Sequence, residues 1–264
     1  VARNNEEAKR FVEASYAQGV DLVKLMITGG VLDAKEKGVP GEMKMPEDMI
    51  QAICKKAHQL GLLTIAHVES TEGVKAALRN GVDSIEHGAK PDQEMMELFK
   101  EKKAFLITTL SPALPFALFD PSVSKVDDTQ LFNGKMVFDG IVECSKAALE
   151  NHIPVGLGND VGCPWITQYD FYRELVYFHK YVGVTNGFAI YTATLQNAIL
   201  AGISDITGSI AAGKQADMFG VKENPLDDLN ALKNIELVFT KGKMVHPKIK
   251  RDKEIEQRLD VFCK

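Results

Sequence analysis

The sequence predicts an α/β fold built around a parallel sheet, and three observations support this prediction. Short apolar runs that end in glycine or a polar residue recur along the chain up to Asp160. Segments with helical apolar spacing lie between these runs, so strands and helices alternate as in βαβ units. After Asp160 the pattern changes to helices followed by short, turn-rich strands. The 264 residues, 45% of them hydrophobic, are enough to bury a large core.

Five strands and five helices are predicted before residue 160. A helix is expected to begin at Asn4 or Asn5, with acids in its first turn, and to end at Gly19. The other helices are predicted over Pro46–Leu60, 71–81, 91–103 and Phe132–Asn151. The strands are expected to start near Val20, Leu62, Val82, Ala104 and Ile153. Residues 108–128 contain Pro112, Pro115 and Pro121 and are predicted to form a long loop, which could act as a lid.

The number of strands limits the architecture. A closed (β/α)8 barrel needs eight strands and about 250 residues, whereas five are predicted here. The sheet is therefore expected to be open, or to be an incomplete TIM-type barrel without its first strands. We predict a partial barrel over residues 1–205, a small β-sandwich segment over 206–247 and a charged tail, helical or frayed, over 248–264.

Composition argues against several classes of function. A net charge of -5 and a pI near 5.7, with acids and bases mixed, provide no basic stripe for nucleic acid. The apolar runs are far shorter than a membrane span, so no membrane association is expected. The four cysteines are widely spaced, which favours free thiols and a cytoplasmic location.

Lys24 lies inside the apolar run Val20–Ile27. Such a run predicts a strand buried on both faces, where a bare ammonium is costly. The lysine could reach the strand end with its ammonium or pair with a carboxylate such as Glu69. It could also bind a metal, if carboxylation by CO2 turned the amine into an anionic oxygen ligand.

Three more polar residues follow predicted strands, namely His67, His87 and Asp160. The carboxyl ends of barrel strands form one catalytic face, so these side chains and Lys24 are expected to converge. Two imidazoles, a carboxylate and a carboxylated lysine form a metal-binding set. Singly, each has a simpler interpretation, the histidines as rim residues and Asp160 as a turn residue. Their recurrence at equivalent points of successive units favours the metal site.

Several segments resemble the amidohydrolase superfamily, specifically its imidazolonepropionase-like and prolidase-like metal-dependent hydrolases. These segments are "VKLMITGG", "IAHVES", "GVDSIEHG", "VGLGNDVG" and the closing "GSIAAGKQADMFGV". The resemblance implies strands four to eight of a (β/α)8 barrel with a returning segment of a β-sandwich. It also implies one or two divalent metal ions, with zinc as the expected ion. The ligands that the resemblance implies are the carboxylated Lys24, His67, His87 and Asp160.

The chain also departs from the family. The H-x-H pair of strand one is absent, since no two histidines have that spacing, and the chain is expected to begin just before strand four. One well-made metal site is therefore expected in this chain alone. The strand edge at Val20–Ile27 would be exposed, so a homo-oligomer or a complementary N-terminal segment is expected to cover it.

The resemblance implies hydrolysis of amide or cyclic amide C–N bonds in dipeptides or in lactam-like and imide-like small molecules, with Asp160 as general base. Tyr169 and Arg173 could meet a substrate carboxylate, although a helical arginine is more often a surface residue. Gly29 and Gly30 could admit the substrate or only serve a turn. Two alternatives remain open: a Schiff-base aldolase that uses Lys24, and a barrel fragment that binds a partner without turnover.

Overall fold

The structure is a computed structural model that describes residues 2–264. The chain divides into two compact units, each described here by itself. The first unit comprises the chain up to Thr108 together with Ala113–Val155, and the second comprises Thr109–Pro112 and Gly156–Lys264. The division of the chain into segments 1–205, 206–247 and 248–264 remains a prediction.

A five-stranded sheet runs in chain order, which confirms the α/β prediction. The strands are β1 (Leu22–Met26), β2 (Leu63–Val68), β3 (Ser84–His87), β4 (Phe105–Thr108) and β5 (Val155–Leu157). The first four pair in parallel, with Lys24 opposite Ile65 and His67 opposite Glu86. This arrangement is that of a partial barrel, and it aligns the carboxyl ends of neighbouring strands at one rim.

Five helices alternate with these strands along the chain, and the last of them begins at Asp128, four residues before the predicted Phe132. They are α1 (Asn5–Ala17), α2 (Glu47–Gln59), α3 (Thr71–Arg79), α4 (Gln93–Lys102) and, before β5, α7 (Asp128–Glu150). The side chains of Asn4, Ser70 and Asp92 accept hydrogen bonds from backbone N–H groups in the first turns of α1, α3 and α4. In these three helices, a side chain from the local sequence therefore caps the first turn.

The segment after β4 is helical, so the prediction of a long loop there was wrong. It forms α5 (Leu110–Leu118) and the short α6 (Pro121–Ser124). Pro112 lies in the first turn of α5 and Pro121 is the first residue of α6, where a missing N–H breaks no helical hydrogen bond. Only Pro115 lies in a helix interior. The buried apolar run of α5, which includes Leu110 and Leu114, offsets that single defect.

One face of the sheet is buried and the other is open in the first unit. Leu25, Ala66, Ile85 and Leu106 are at most 2% exposed, and α2, α3 and α7 pack against the strands. The opposite face, here called the open face, carries exposed side chains of Leu22, Lys24, Met26 and Leu63. The prediction that Val20–Ile27 is buried on both faces was therefore wrong. β1 is a terminal strand of the sheet, and only one of its faces meets helices.

The second unit contains short helices and a small sheet. The helices are α8 (Tyr172–Tyr177), α9 (Asn186–Tyr191), α10 (Asn197–Leu200) and α11 (Lys253–Asp260). A π-helical turn follows α8, and a second one joins α9 to α10. The strands β6 (Met218–Val221), β7 (Ile235–Thr240) and β8 (Lys243–Val245) form one antiparallel sheet. This sheet lies where a β-sandwich segment was expected, and the charged tail contains a helix.

All four cysteines are free thiols, as the sequence predicts. Burial raises the pKa of Cys54 to about 11 and that of Cys144 to about 12, so neither forms a reactive thiolate near neutral pH. Within residues 2–264, no helix has the length and apolar character required to cross a bilayer.

Candidate metal centre

His67 and His87 come together at the carboxyl ends of β2 and β3. Their ring centroids lie 4.6 Å apart, with the ring planes at 70°. His67 is half-buried, whereas His87 is only 4% exposed. Burial, together with the nearby charges of His67 and Lys24, lowers the pKa of His87 well below its usual range. His87 is therefore neutral at pH 7, the form in which imidazole binds a metal.

The backbone at His87 directs its ring toward His67. Residues of a regular strand alternate between the two faces of a sheet, and the register places Glu86 opposite His67. His87 would then point to the other face. Its φ of 70° lies in the left-handed region, which is uncommon for a residue other than glycine, and Gly88 follows with a φ of 90°. This change of direction at the strand end brings the two imidazoles into contact.

Glu69 is a third potential ligand, which the sequence analysis considered only as a partner for Lys24. Ligand atoms of His67, Glu69 and His87 all lie within 4.8 Å of one another. The spacing H-x-E places residues 67 and 69 on the same side of an extended segment. That spacing is the signal that could have identified Glu69 as a member of the site.

The loop that follows β1 lies directly against this cluster. Thr28 forms a bridge with Met43, and its Oγ1 accepts a hydrogen bond from the Glu69 N–H at 3.0 Å. The Val31 N–H donates to Glu69 Oε2 at 3.1 Å. A Cβ on Gly30 would lie 2.9 Å from Glu69 Oε2 and 3.4 Å from His67 Nε2. Glycine at this position therefore allows the loop to approach the site.

Gly29 packs tightly against other residues of the loop that follows β1. Its N–H donates to the Glu42 carbonyl at 2.8 Å. A Cβ on Gly29 would lie 2.8 Å from the Asp33 carboxylate. Both glycines are thus in close contact with neighbouring groups of the protein, and a role in substrate binding stays a prediction.

Lys24 lies on the open face of β1 and is exposed. The cost expected for a buried ammonium therefore does not arise in this chain, because the ammonium is accessible to water. Its charge nonetheless lies close enough to His87 to contribute to the lowered pKa of that imidazole. Lys24 thus belongs to the electrostatic surroundings of the two histidines.

Asp160 belongs to the second unit, where it follows β5. It is exposed, has a φ of 49° and accepts a contact from the Cys163 thiol to Oδ2 at 3.3 Å. Asn197 fixes the end of β5, because its side chain bonds both the N–H and the carbonyl of Leu157. The role of Asp160 as ligand and base stays a prediction.

Arg173 is engaged in ion pairs inside the second unit, and its expected role with a substrate carboxylate stays a prediction. Its guanidinium is 2% exposed and lies 3.1 Å from Asp170 and 2.7 Å from Asp260. The Tyr169 hydroxyl accepts a hydrogen bond from the Asp252 N–H at 2.5 Å. Arg173 thus holds α11 through Asp260, and Tyr169 holds Asp252, the residue before α11.

Glu174 is a buried acid that the sequence analysis missed. Its carboxylate accepts hydrogen bonds from the N–H of Leu110 at 2.6 Å and the N–H of Ser111 at 2.7 Å. Burial raises its pKa to about 7, although the hydrogen bonds from Ser111 and Leu110 act in the opposite direction. A helical glutamate gives no local signal of burial, because only tertiary contacts decide it.

The cluster of His67, Glu69 and His87 suits a divalent cation. Two imidazoles and a carboxylate form a donor set that Zn²⁺ accepts, and one imidazole is kept neutral by its surroundings. Tetrahedral zinc with ligand distances of about 2.0–2.2 Å needs donor atoms roughly 3.4 Å apart. Small side-chain rotations can bring donors that lie within 4.8 Å to that separation.

Comparisons with known proteins identify relatives along most of the chain. A model described as the amidohydrolase family matches residues 2–245. The ochratoxinase of Aspergillus niger is 26% identical over 249 residues, which make up 92% of this chain and 50% of that protein. The chain thus spans about half the length of this curated relative.

Two solved structures share the fold. A Bifidobacterium longum protein named as a candidate prolidase gives a TM-score of 0.91 at 38% identity, over 98% of this chain and 64% of its own. An Xaa-Pro dipeptidase with methionine bound in its active site gives a TM-score of 0.80 at 28% identity, over 94% of this chain and 60% of its own. Both are longer than the present chain.

Proposed function

This chain belongs to the amidohydrolase family, and on that premise we propose that it hydrolyses amide or cyclic amide C–N bonds. The substrates we propose are dipeptides and lactam-like or imide-like small molecules. The candidate prolidase, the Xaa-Pro dipeptidase and the ochratoxinase support hydrolysis as the type of reaction. Each of them extends beyond the part that this chain matches, so the substrate class is part of the proposal.

One observation carries the proposal: the contact of the His67 and His87 rings, 4.6 Å apart at the ends of neighbouring parallel strands. A stability role alone does not require a buried imidazole next to a second imidazole. Two such groups with a carboxylate within 4.8 Å favour a metal centre. The end of a barrel strand is also where enzymes of this architecture place catalytic groups.

We assign one metal position to Lys24, His67 and His87, with Zn²⁺ as the ion, and we keep Asp160 as the ligand expected for a second position. A bound divalent cation lowers the pKa of a water molecule and polarises a carbonyl group. Carboxylation of Lys24 by CO2 replaces its positive charge by an anionic oxygen pair. The exposure of Lys24 on β1 is compatible with access of CO2 to the amine.

The hydrolysis requires a group that moves a proton, and we propose that Asp160 is this group. During hydrolysis, a water oxygen attacks the carbonyl carbon, the C–N bond breaks, and one proton passes from the water to the leaving nitrogen. The Asp160 carboxylate accepts that proton and then donates it to the amine. The products are a free amine and a carboxylic acid, which releases the second proton of the water to the solvent as it ionises, and no further reactant is consumed.

The aldolase alternative loses its main support. It required a lysine whose pKa is depressed by burial, whereas Lys24 is exposed on the open face. Family membership also favours hydrolysis over carbon–carbon bond cleavage.

The test is hydrolysis of a panel of Xaa-Pro dipeptides, other dipeptides, lactams and cyclic imides by this chain with Zn²⁺ and bicarbonate. Amine release is followed by mass spectrometry. We expect turnover of at least one substrate class and a loss of about 10²-fold or more in Asp160→Asn. Asp205→Asn, which changes an exposed acid outside the site, is the matched control. Absence of turnover on the whole panel, or full activity of Asp160→Asn, would contradict the proposal.

A further inference from the structure

Glu69 brings a carboxylate to the two imidazoles without any chemical modification. Its oxygen lies within 4.8 Å of the ligand nitrogens of His67 and His87. Lys24 differs in this respect, because its amine is positive until it is carboxylated. Lys24 lies on β1, which pairs with the strand that ends near His67, and a positive charge there opposes the binding of a cation.

We propose that Glu69 is the anionic ligand of a first divalent cation, together with His67 and His87, and that this cation binds before Lys24 is carboxylated. The inference rests on the proposed metal-dependent function and adds an order of assembly to it. Lys24 then completes the site at a later step, once its charge has been reversed by CO2.

The surroundings hold Glu69 in position for this role. Its backbone N–H donates to Thr28 Oγ1 at 3.0 Å, and its Oε2 accepts from the Val31 N–H at 3.1 Å. A carboxylate has about four acceptor sites on its two oxygens, so the bond from Val31 is compatible with a metal contact. Gly30 adds to the fit, because any side chain there would collide with the carboxylate.

The decisive measurement is calorimetric titration of the full chain with Zn²⁺ in buffer freed of CO2 and bicarbonate. We expect the wild-type chain to bind one ion, and Glu69→Gln to bind it at least about 10-fold more weakly. Glu42→Gln is the matched control, because Glu42 lies in the loop after β1 that contacts Glu69 but pairs with Lys44 at 2.5 Å. We expect its affinity to stay within about 2-fold of wild type.

Gly30→Ala provides an independent test if Glu69→Gln does not fold, as judged by circular dichroism. Its Cβ would displace the Glu69 carboxylate, so zinc affinity should fall while the carboxylate remains. Wild-type affinity in both Glu69→Gln and Gly30→Ala would overturn the inference. Zinc binding that requires bicarbonate would also overturn it, but would leave the proposed metal-dependent function intact. Absence of zinc binding in either buffer would overturn both.

Discussion

The imidazole rings of His87 and His67 lie with their centroids 4.6 Å apart, because the backbone at His87 adopts a left-handed conformation. A regular strand would have placed the two rings on opposite faces of the sheet. The contact therefore depends on the last residue of β3 rather than on the strand as a whole. The part that each ring plays in the proposed metal centre can be tested separately.

Replacing either ring by asparagine should remove a metal ligand. For His67→Asn and His87→Asn we expect zinc affinity to fall by about 100-fold or more, as measured by competition with a chromophoric chelator. His58→Asn is the control, because His58 binds Asp83 at 2.8 Å near the amino ends of β2 and β3. Equal affinity in all three variants would show that the histidine contact does not hold a metal.

Gly88 should tolerate no side chain. Its φ of 90° is unfavourable for other residues, and a Cβ would lie 3.0 Å from Cys144 Sγ and 3.1 Å from Leu106 Cδ1. Gly61 has a similar φ of 75° but no atom within 4 Å of the added Cβ. We expect Gly61→Ala to cost about 1 kcal/mol and Gly88→Ala about 2–3 kcal/mol in the free energy of unfolding. Chemical denaturation measures both, and equal losses would show that the steric contacts at Gly88 are easily relieved.

Removal of Arg173 should destabilise the second unit. The buried side chains of Arg173 and Asp170 form an ion pair, and loss of one partner leaves an uncompensated charge that costs about 3–5 kcal/mol. Arg258→Ala, which removes the exposed pair with Glu254 and a cation–π contact with Trp165, should cost at most about 1 kcal/mol. Urea denaturation tests this difference. If Arg173→Met instead keeps full stability and raises KM, the arginine meets the substrate as first expected.

Glu174 should make stability depend on pH. Its pKa is raised from 4.5 to about 7, so its stabilising contribution is fully present below pH 4.5 and is lost as the pH rises through about 7. The difference in free energy of unfolding between wild type and Glu174→Gln should therefore shift against the wild type by up to about 3 kcal/mol from pH 4.5 to 8. Thermal denaturation across this range measures it. Glu72→Gln, at an exposed acid, should change little, and parallel curves for wild type and Glu174→Gln would contradict the prediction.

The sequence was sufficient to predict the elements whose signals are local. Alternating apolar runs, helical spacing and the capping residue Asn4 located the strands and helices of the first unit. The segment with three prolines was misread, because a proline in the first turn of a helix breaks nothing. A count of prolines does not reveal their positions within a helix. The burial of the apolar run in α5 decided the outcome.

The candidate site could be predicted only in part. His67 and His87 were identified because each stands at the end of a predicted strand, which is a property of the chain near that residue. Glu174 was missed, since its role depends on a contact with Ser111, far away in sequence. Glu69 was missed as a ligand although the local spacing H-x-E, shared with His67, could have identified it. The exposure of Lys24 was also missed, because an apolar strand has the same composition whether one or both of its faces are covered.

The bond from the Val31 amide to Glu69 Oε2 provides a natural reporter of what happens at the cluster. When a cation draws electron density from that oxygen, the amide proton is less strongly deshielded, and its resonance should move to lower frequency in a nitrogen-15 correlation spectrum. A single backbone signal could thus be followed during a titration in solution, without a dye, an assay substrate or a crystal.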